Sequence, residues 1–436
     1  MVSVQEFDFQ RWVEVFWLVF AGALSFPYLV ARWADRPVLS VVVLAVVLGA
    51  LLSAWHAYGV SFLWAAVLRP VLYISLMVGF GHAWAGSGVS LKRAFSATVL
   101  FGLGVYLLYS VLGAAALALS GVFSKVYLVF GFSNVNHAAG FLLATLLILP
   151  GLASPFPAER RAVRHIINLL SVWIAFLLLA IGSRGSFLAW LVVAGLCLLH
   201  RHQKQVSGYL RGQLVAVAGG LLLYGLLRIA LLLTSAHAFP SARPLTEDSG
   251  RIELYLKAWN GALESPWLGH GPLSYAGISG ELLGHAHNTI LTTLYEVGFV
   301  CTALILGILA FMGAVLWRAR ERIMANPVGL PGLAVLVAFA VHSQFSGLPM
   351  IPATMLMVTI AVGFVASSWP MAAPALPPAR LITGTLAGAA LAACYLFMVI
   401  SYWQAIDGQV LQKPRFWLQG GTETWLSPAG AQLRTR

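Results

Sequence analysis

Long apolar runs separated by short polar breaks dominate the hydropathy pattern of this 436-residue chain. Crossing the hydrocarbon of a bilayer takes about 20 mostly apolar residues per helix. The pattern therefore predicts an all-α polytopic integral membrane protein with about 12 transmembrane helices. The predicted helices cover residues 13–30, 38–55, 60–80, 95–119, 137–153, 166–181, 185–200, 213–234, 298–317, 328–344, 349–368 and 381–402.

The composition agrees with this interpretation. Hydrophobic residues make up 60% of the chain and charged residues only 9%, with a mean hydropathy of +0.86. A soluble domain carries about 25% charged residues. The three cysteines, Cys197, Cys301 and Cys394, all fall in apolar runs. We expect them to be small buried hydrophobes, with neither a disulfide framework nor a metal site.

The net charge of +12 does not indicate a nucleic-acid binder, because the basic residues cluster in alternate short connections between the apolar runs. Such loops are cytoplasmic by the positive-inside rule. The long polar segment 235–287, between the eighth and ninth predicted helices, then lies on the outer side together with both termini. In a Gram-negative bacterium this side is the periplasm. The whole chain, 1–436, is predicted to be a single membrane domain carrying this one loop.

Three arginines on the predicted outer side are candidate anion ligands. Arg184 lies in a tight turn at 182–186, where snorkelling to lipid phosphate is the alternative explanation. Arg251 falls in the first turn of an amphipathic helix predicted at about 249–265, where the helix dipole disfavours a cation unless an anion also binds. Arg243 precedes this helix in the same loop.

The end of the polar loop carries the clearest candidate chemistry. His285, His287 and Asn288 stand immediately before an apolar helix pattern, and Asn288 can cap that helix. A lone histidine is more often structural than catalytic. Two histidines beside outer arginines improve the case, because histidine accepts a proton near neutral pH and guanidinium groups stabilise a phosphate leaving group.

Two further polar positions are expected to support the site. Glu296 lies about two turns beyond Asn288, inside the apolar layer, so it needs a partner. Arg69, Arg228 and Lys257 are the candidates. Asn136 is predicted to cap the helix that starts at residue 137, with a ligand contact as the less favoured interpretation.

Three motifs carry a resemblance to a known family. The segment 284–298 resembles the His-x-His-Asn signature of the bacterial O-antigen ligase and polymerase superfamily. Ser183-Arg184-Gly185 resembles that family's Ser/Thr-Arg-Gly/Ala turn. The segment 250–271 resembles its arginine-led periplasmic helix and the Pro-x-x-Gly-x-Gly that follows. The motifs occur in the family's order and are closest to those of the lipopolysaccharide O-antigen ligases.

The resemblance implies an inverting glycosyltransferase of the bacterial inner membrane, with its active site facing the periplasm. It implies undecaprenyl-pyrophosphate-linked O-antigen as the donor and the lipid A core oligosaccharide as the acceptor, with no cofactor or metal. His287 is then the first choice for the general base, with His285 as its neighbour or alternative. Arg184 and Arg251, with Arg243 as a third candidate, would hold the pyrophosphate.

Three alternatives stay open at this point. An O-antigen polymerase would use the same donor and extend another lipid-linked chain. A protein-glycosylating oligosaccharyltransferase usually has a larger outer C-terminal region than the tail after residue 402. A flippase or transporter of lipid-linked oligosaccharides would also be polytopic, but we find no internal repeat of the kind common in transporters.

Overall fold

The computed structural model describes residues 2–34, 37–58, 67–120, 128–129, 132, 134–157, 161–233, 250–277, 285–368 and 377–406. Every regular element within these residues is helical, which confirms the predicted all-α class for this part of the chain. The α-helices are α1 Val2–Trp17, α2 Ala23–Ala34, α3 Pro37–Tyr58, α4 Arg69–Gly86, α5 Val89–Ser120, α6 Val135–Ala153, α7 Arg161–Ile181, α8 Arg184–Leu199, α9 Lys204–Leu233, α10 Arg251–Glu264, α11 Thr289–Arg318, α12 Arg320–Ala325, α13 Gly329–His342, α14 Pro352–Ser367 and α15 Pro378–Ile406.

Seven described helical stretches are long and apolar enough to cross a membrane: Phe9–Ala31, Val89–Ala116, Val135–Ala153, Arg161–Ile181, Lys204–Ile229, Thr289–Arg318 and Pro378–Ile400. Four shorter apolar helices accompany them, at Val43–His56, Arg184–Leu199, Gly329–His342 and Pro352–Ser367. The chain is therefore a multi-pass membrane protein. Each of the twelve predicted spans overlaps a helix, but the count of twelve crossings and their sidedness remain predictions.

Helix α6 forms the centre of the bundle and packs on α7, α13 and α14. It is apolar on all sides, and a helix of that kind is stable only when it is surrounded. Its Leu142, Leu147 and Ile148 are fully buried. Helices α5, α9 and α11 instead expose apolar faces, which suits contact with lipid. The N-terminus of α6 is thereby held at a fixed place inside the bundle.

A break in α11 creates a docking point for the loop that follows α10. Gly298 has φ 73° and interrupts the helix. The break frees carbonyl groups that need donors. The N–H of His270 donates to Tyr295 O at 2.9 Å and that of Gly271 to Glu296 O at 2.8 Å, while Phe299 N–H donates to Pro266 O at 2.7 Å. The Pro266–Gly271 segment is therefore joined to α11 through the backbone.

Gly298→Ala is expected to destabilise the protein for two reasons. The alanine would have to adopt a positive φ, and its Cβ would lie 2.5 Å from Trp267 O. The backbone conformation of Gly298, with φ 73° and ψ 179°, is almost confined to glycine and alone costs another residue about 1–3 kcal/mol. The measurement is the thermal unfolding midpoint in detergent, with Gly307→Ala on the same helix as the matched control, since nothing lies within 4 Å of a Cβ there. The midpoint falls for Gly298→Ala only; equal midpoints would contradict this account.

Candidate functional site

Four histidines meet where the loop before α11 approaches the start of α6 and the end of α13. The ring Nε2 atoms of His137 and His285 are 3.3 Å apart. The ring centres of His285 and His287 are 4.4 Å apart, with the rings nearly perpendicular. His342, the last residue of α13, completes the cluster. All four side chains are buried.

The backbone of the loop sets the position of the two neighbouring histidines. His287 has φ 56°, a left-handed conformation that non-glycine residues rarely adopt outside constrained sites. Its N–H donates to Nδ1 of His285 at 3.1 Å. The N–H of Ala286 donates to Thr292 Oγ1 at 3.2 Å. The loop is therefore folded back onto the first turn of α11.

Asn288 is the N-cap of α11, as the sequence predicts, and accepts the N–H of Leu291 at 2.9 Å. The equivalent prediction for Asn136 is wrong. Helix α6 begins at Val135, so Asn134 is its N-cap and accepts the N–H of Asn136 at 2.8 Å. Asn136 lies in the first turn, two residues after the cap, where its own amide proton is one of the groups being capped.

The turn before α8 lies against His342. Ser183 caps α8, and its Oγ is 3.1 Å from that of Ser186. The Ser186 Oγ is in turn 3.4 Å from Nδ1 of His342. Gly185 lets the ring pack closely, since a Cβ there would lie 2.7 Å from Cδ2 of His342. Arg184, the first residue of α8, is exposed beside this contact.

Helix α10 is fixed to the histidine loop by a small apolar core of its own. Ala258 of α10, Tyr275 and Ala286 are fully buried together, with Leu291 and Tyr295 of α11 packed against them. This helix lies within the segment predicted to be amphipathic. Its two apolar faces differ, because Leu254, Ala258 and Ala262 are buried while Ile252, Leu256, Trp259 and Leu263 are exposed.

This packing brings Arg251, the first residue of α10, close enough to act electrostatically on His287 and His342. Burial, followed by the charge of Arg251, lowers the pKa of His287 to about 4. Burial also lowers the pKa of His285 well below its usual range, with His287 and His137 adding to the effect. Both loop histidines are therefore neutral at pH 7. Arg243 lies outside the described residues.

The segment after α13 holds His285 from the other side. The Ser343 carbonyl accepts the N–H and the hydroxyl of Thr289, at 3.0 and 2.8 Å. Gly347 then passes so close to His285 that a Cβ there would overlap the imidazole ring. Any side chain at this position would displace the histidine.

Two of the three residues predicted as partners of Glu296 pair with other acids instead. Arg69 pairs with Glu14 at 2.9 Å, and Lys257 pairs with Glu253 at 3.1 Å. The Glu296 carboxylate instead accepts the backbone N–H groups of Leu273 and Tyr275. The docking of the 266–271 loop onto α11 provides these donors, a tertiary arrangement that sequence spacing does not encode.

A cavity of about 410 Å³ lies beside the cluster, between α3, α4 and α11. His285 lines it, together with Asn288, Glu296 and Arg69. Most of the remaining wall is apolar and comes from valines and isoleucines of α3 and α11. The histidine loop therefore faces a partly open cavity large enough for part of a substrate.

Sequence reasoning missed three residues of this arrangement, namely His137, His342 and Gly347. The signal for the first two was a histidine at the outer end of an otherwise apolar run, His137 next to Asn136 and His342 next to Ser343. Nothing in the local sequence points to Gly347, because its role follows from the approach of a distant loop.

Among the described residues, one set of side chains has the spacing of metal ligands. The ligand atoms of His200, His202 and Glu321 lie within 4.8 Å of one another. His200 caps the C-terminal end of α8, about 24 Å along the helix from Arg184 at its start. This group is therefore separate from the histidine cluster.

Comparison with known proteins gives one family match. Residues 169–306, about a third of the chain, match the family model described as O-Antigen ligase. The matched region contains Arg184, Arg251, His285, His287 and Glu296. No curated protein matches the chain. The family match supports placing this multi-pass membrane protein in the O-antigen ligase and polymerase superfamily.

Proposed function

We propose that this protein is an O-antigen ligase of the bacterial inner membrane, with its active site facing the periplasm. It transfers O-antigen from undecaprenyl pyrophosphate to the lipid A core oligosaccharide. The observation that carries the proposal is a buried, neutral histidine, His287, within the electrostatic reach of Arg251 in the region of the family match. No cofactor or metal is required for the step below.

The reaction needs one base and strong stabilisation of the leaving group. An acceptor hydroxyl attacks C1 of the donor sugar, the bond from C1 to the phosphate oxygen breaks with inversion, and undecaprenyl pyrophosphate leaves. The hydroxyl proton passes to the histidine. The guanidinium groups of Arg184 and Arg251 hold the pyrophosphate, because their paired donors match phosphate oxygens.

The hydrogen bonds favour His287 over His285 as the base. His285 uses Nδ1 to accept the N–H of His287, and its Nε2 lies 3.3 Å from that of His137. The Nδ1 of His287 has no hydrogen-bond partner among the described residues. A buried ring nitrogen without a partner is suited to receive a proton from a substrate. His285 then positions the loop that carries the base.

Donor binding is expected to strengthen this base. In the free protein, the positive charge of Arg251 disfavours protonation of His287. A bound pyrophosphate offsets that charge, so the pKa of His287 rises toward the range in which histidine accepts protons well. The base therefore reaches full strength only when the leaving group is in place.

The proposal is tested by product formation with the purified protein, given undecaprenyl-pyrophosphate-linked O-antigen and lipid A core, in the presence of EDTA. Glycan appears on lipid A core with the unmutated protein and not with His287→Ala, because the base is lost. His165→Ala, an exposed histidine on α7, is the control and retains activity.

Other products of the same experiment point to other functions. A second lipid-linked glycan is supplied in a parallel reaction, and longer lipid-linked chains formed there would make the protein a polymerase. The absence of covalent product with either acceptor would turn the assignment toward transport of lipid-linked oligosaccharides.

The pH profile checks the role of Arg251. The base must be neutral, so kcat/KM falls as the pH drops through the pKa of His287, which is about 4 in the free protein. Arg251→Gln removes the repelling charge and raises that pKa. The acid limb of kcat/KM is then expected to move to higher pH; an unmoved limb would show that Arg251 does not act on the base.

Lysine at either arginine position should weaken donor binding. Arg184→Lys and Arg251→Lys keep the charge but lose the paired donors, so the donor KM is expected to rise about 10-fold or more. The matched control is Arg380→Lys on α15, an exposed residue outside the site. A donor KM that equals that of the unmutated protein in all three variants would exclude both arginines as pyrophosphate ligands.

A further inference from the structure

The cavity beside His285 has two chemically different walls. One wall, at the start of α11, carries polar groups from Asn288, Thr289, Thr292, Thr293 and Glu296, and Arg69 of α4 also lines the cavity. The other wall is apolar and includes Val43, Val46, Val47 and Ala50 of α3. The polar wall begins at the histidine loop, so a group bound there would lie next to the proposed base.

Glu296 offers this cavity an acceptor that the protein itself does not satisfy. Its side chain is more than nine-tenths buried, with 9% relative exposure. The carboxylate accepts two backbone N–H groups, from Leu273 and Tyr275, but Oε1 has no hydrogen-bond partner among the described residues. A buried acceptor left without a hydrogen-bond donor costs free energy, so a ligand that donates a hydrogen bond to Oε1 would bind favourably there.

Arg69 offers the same cavity a donor. Its Nε and Nη2 donate to Oε1 of Glu14 at 3.0 and 2.9 Å, and Nη2 also lies 3.4 Å from Pro349 O. Glu14 also accepts from Tyr73 and Arg11, so its carboxylate is saturated. The Nη1 of Arg69 makes no hydrogen bond within the described part of the chain. The ion pair fixes the guanidinium at the cavity wall.

A saccharide carries the groups that both positions need. Each hydroxyl donates one hydrogen bond and accepts others, so hydroxyls can donate to Glu296 and accept from Arg69. An alkyl chain would leave both groups unsatisfied. The valines of α3 suit the apolar face of a pyranose ring.

The cavity is also distinct from the proposed donor site. Arg251 acts on His287 and His342 and does not line the cavity, whereas His285 does. The histidine loop therefore lies between Arg251 on one side and the cavity, with its hydrogen-bond donors and acceptors, on the other. We propose that the cavity is the acceptor subsite, in which hydroxyls of the accepting saccharide bind Glu296 Oε1 and Arg69 Nη1; this inference rests on the proposed glycosyl transfer.

The test measures donor and acceptor KM separately for Glu296→Gln, with lipid A core oligosaccharide as the acceptor probe. The amide keeps the shape of the side chain but replaces one carboxyl oxygen with an NH2 group, so an acceptor is lost. The acceptor KM is expected to rise about 10-fold or more while the donor KM stays unchanged. Glu264→Gln, an exposed glutamate at the end of α10, is the matched control and changes neither constant.

Two further variants keep the test decisive if Glu296→Gln does not fold. Thr293→Val is nearly isosteric and removes a hydroxyl from the polar wall; it should raise the acceptor KM several-fold. Ala50→Leu fills the cavity from the opposite wall, far along the chain from every proposed catalytic group. It should weaken acceptor binding and leave the equilibrium binding of undecaprenyl pyrophosphate unchanged.

Each outcome decides for or against the subsite. A rise in the donor KM alone would show that the donor binds in the cavity. If neither the donor KM nor the acceptor KM changes, no substrate binds there; both results overturn the proposal. If the unmutated protein forms no product, the proposed function fails instead. Direct titration of the core oligosaccharide then decides: weaker binding to Glu296→Gln than to the unmutated protein supports the saccharide site, and equal or absent binding overturns it.

Discussion

The backbone junction between the 266–271 loop and the break in α11 holds the proposed site together. A continuous helix would satisfy its own carbonyl groups and offer nothing for the loop to bind. The left-handed Gly298 frees carbonyls at 295 and 296, and the loop supplies their donors. The same docking turns two loop N–H groups toward Glu296 and places Tyr275 in the small core that anchors α10. Arg251 reaches the histidines because of it.

Burial governs the chemistry of the cluster. Water is largely excluded, so the histidines stay neutral and the charge of Arg251 acts on His287 with little screening. An arginine beside a base weakens that base until an anion arrives. Under the proposed function, this arrangement couples proton acceptance by His287 to binding of the pyrophosphate by Arg251.

The sequence predicted the helical membrane architecture because hydrocarbon length and apolar runs are directly related. It also predicted Asn288 as a cap, because capping depends on adjacent residues. It failed where long-range packing decides. Asn136 was predicted to be the N-cap of α6, but the N-cap is Asn134. Arg69 was predicted as a candidate partner of Glu296, but it pairs with Glu14. Gly347 carries no local signal at all.

The left-handed backbone at position 287 bears on why a histidine is found there. That conformation is easiest for glycine, and a residue with a Cβ makes it more costly by about 1 kcal/mol, although asparagine, aspartate and histidine adopt it more often than other residues. A loop that needed only its shape would be more stable with glycine. A histidine at position 287 therefore carries a backbone cost that its imidazole ring offsets if the ring serves as the proposed base.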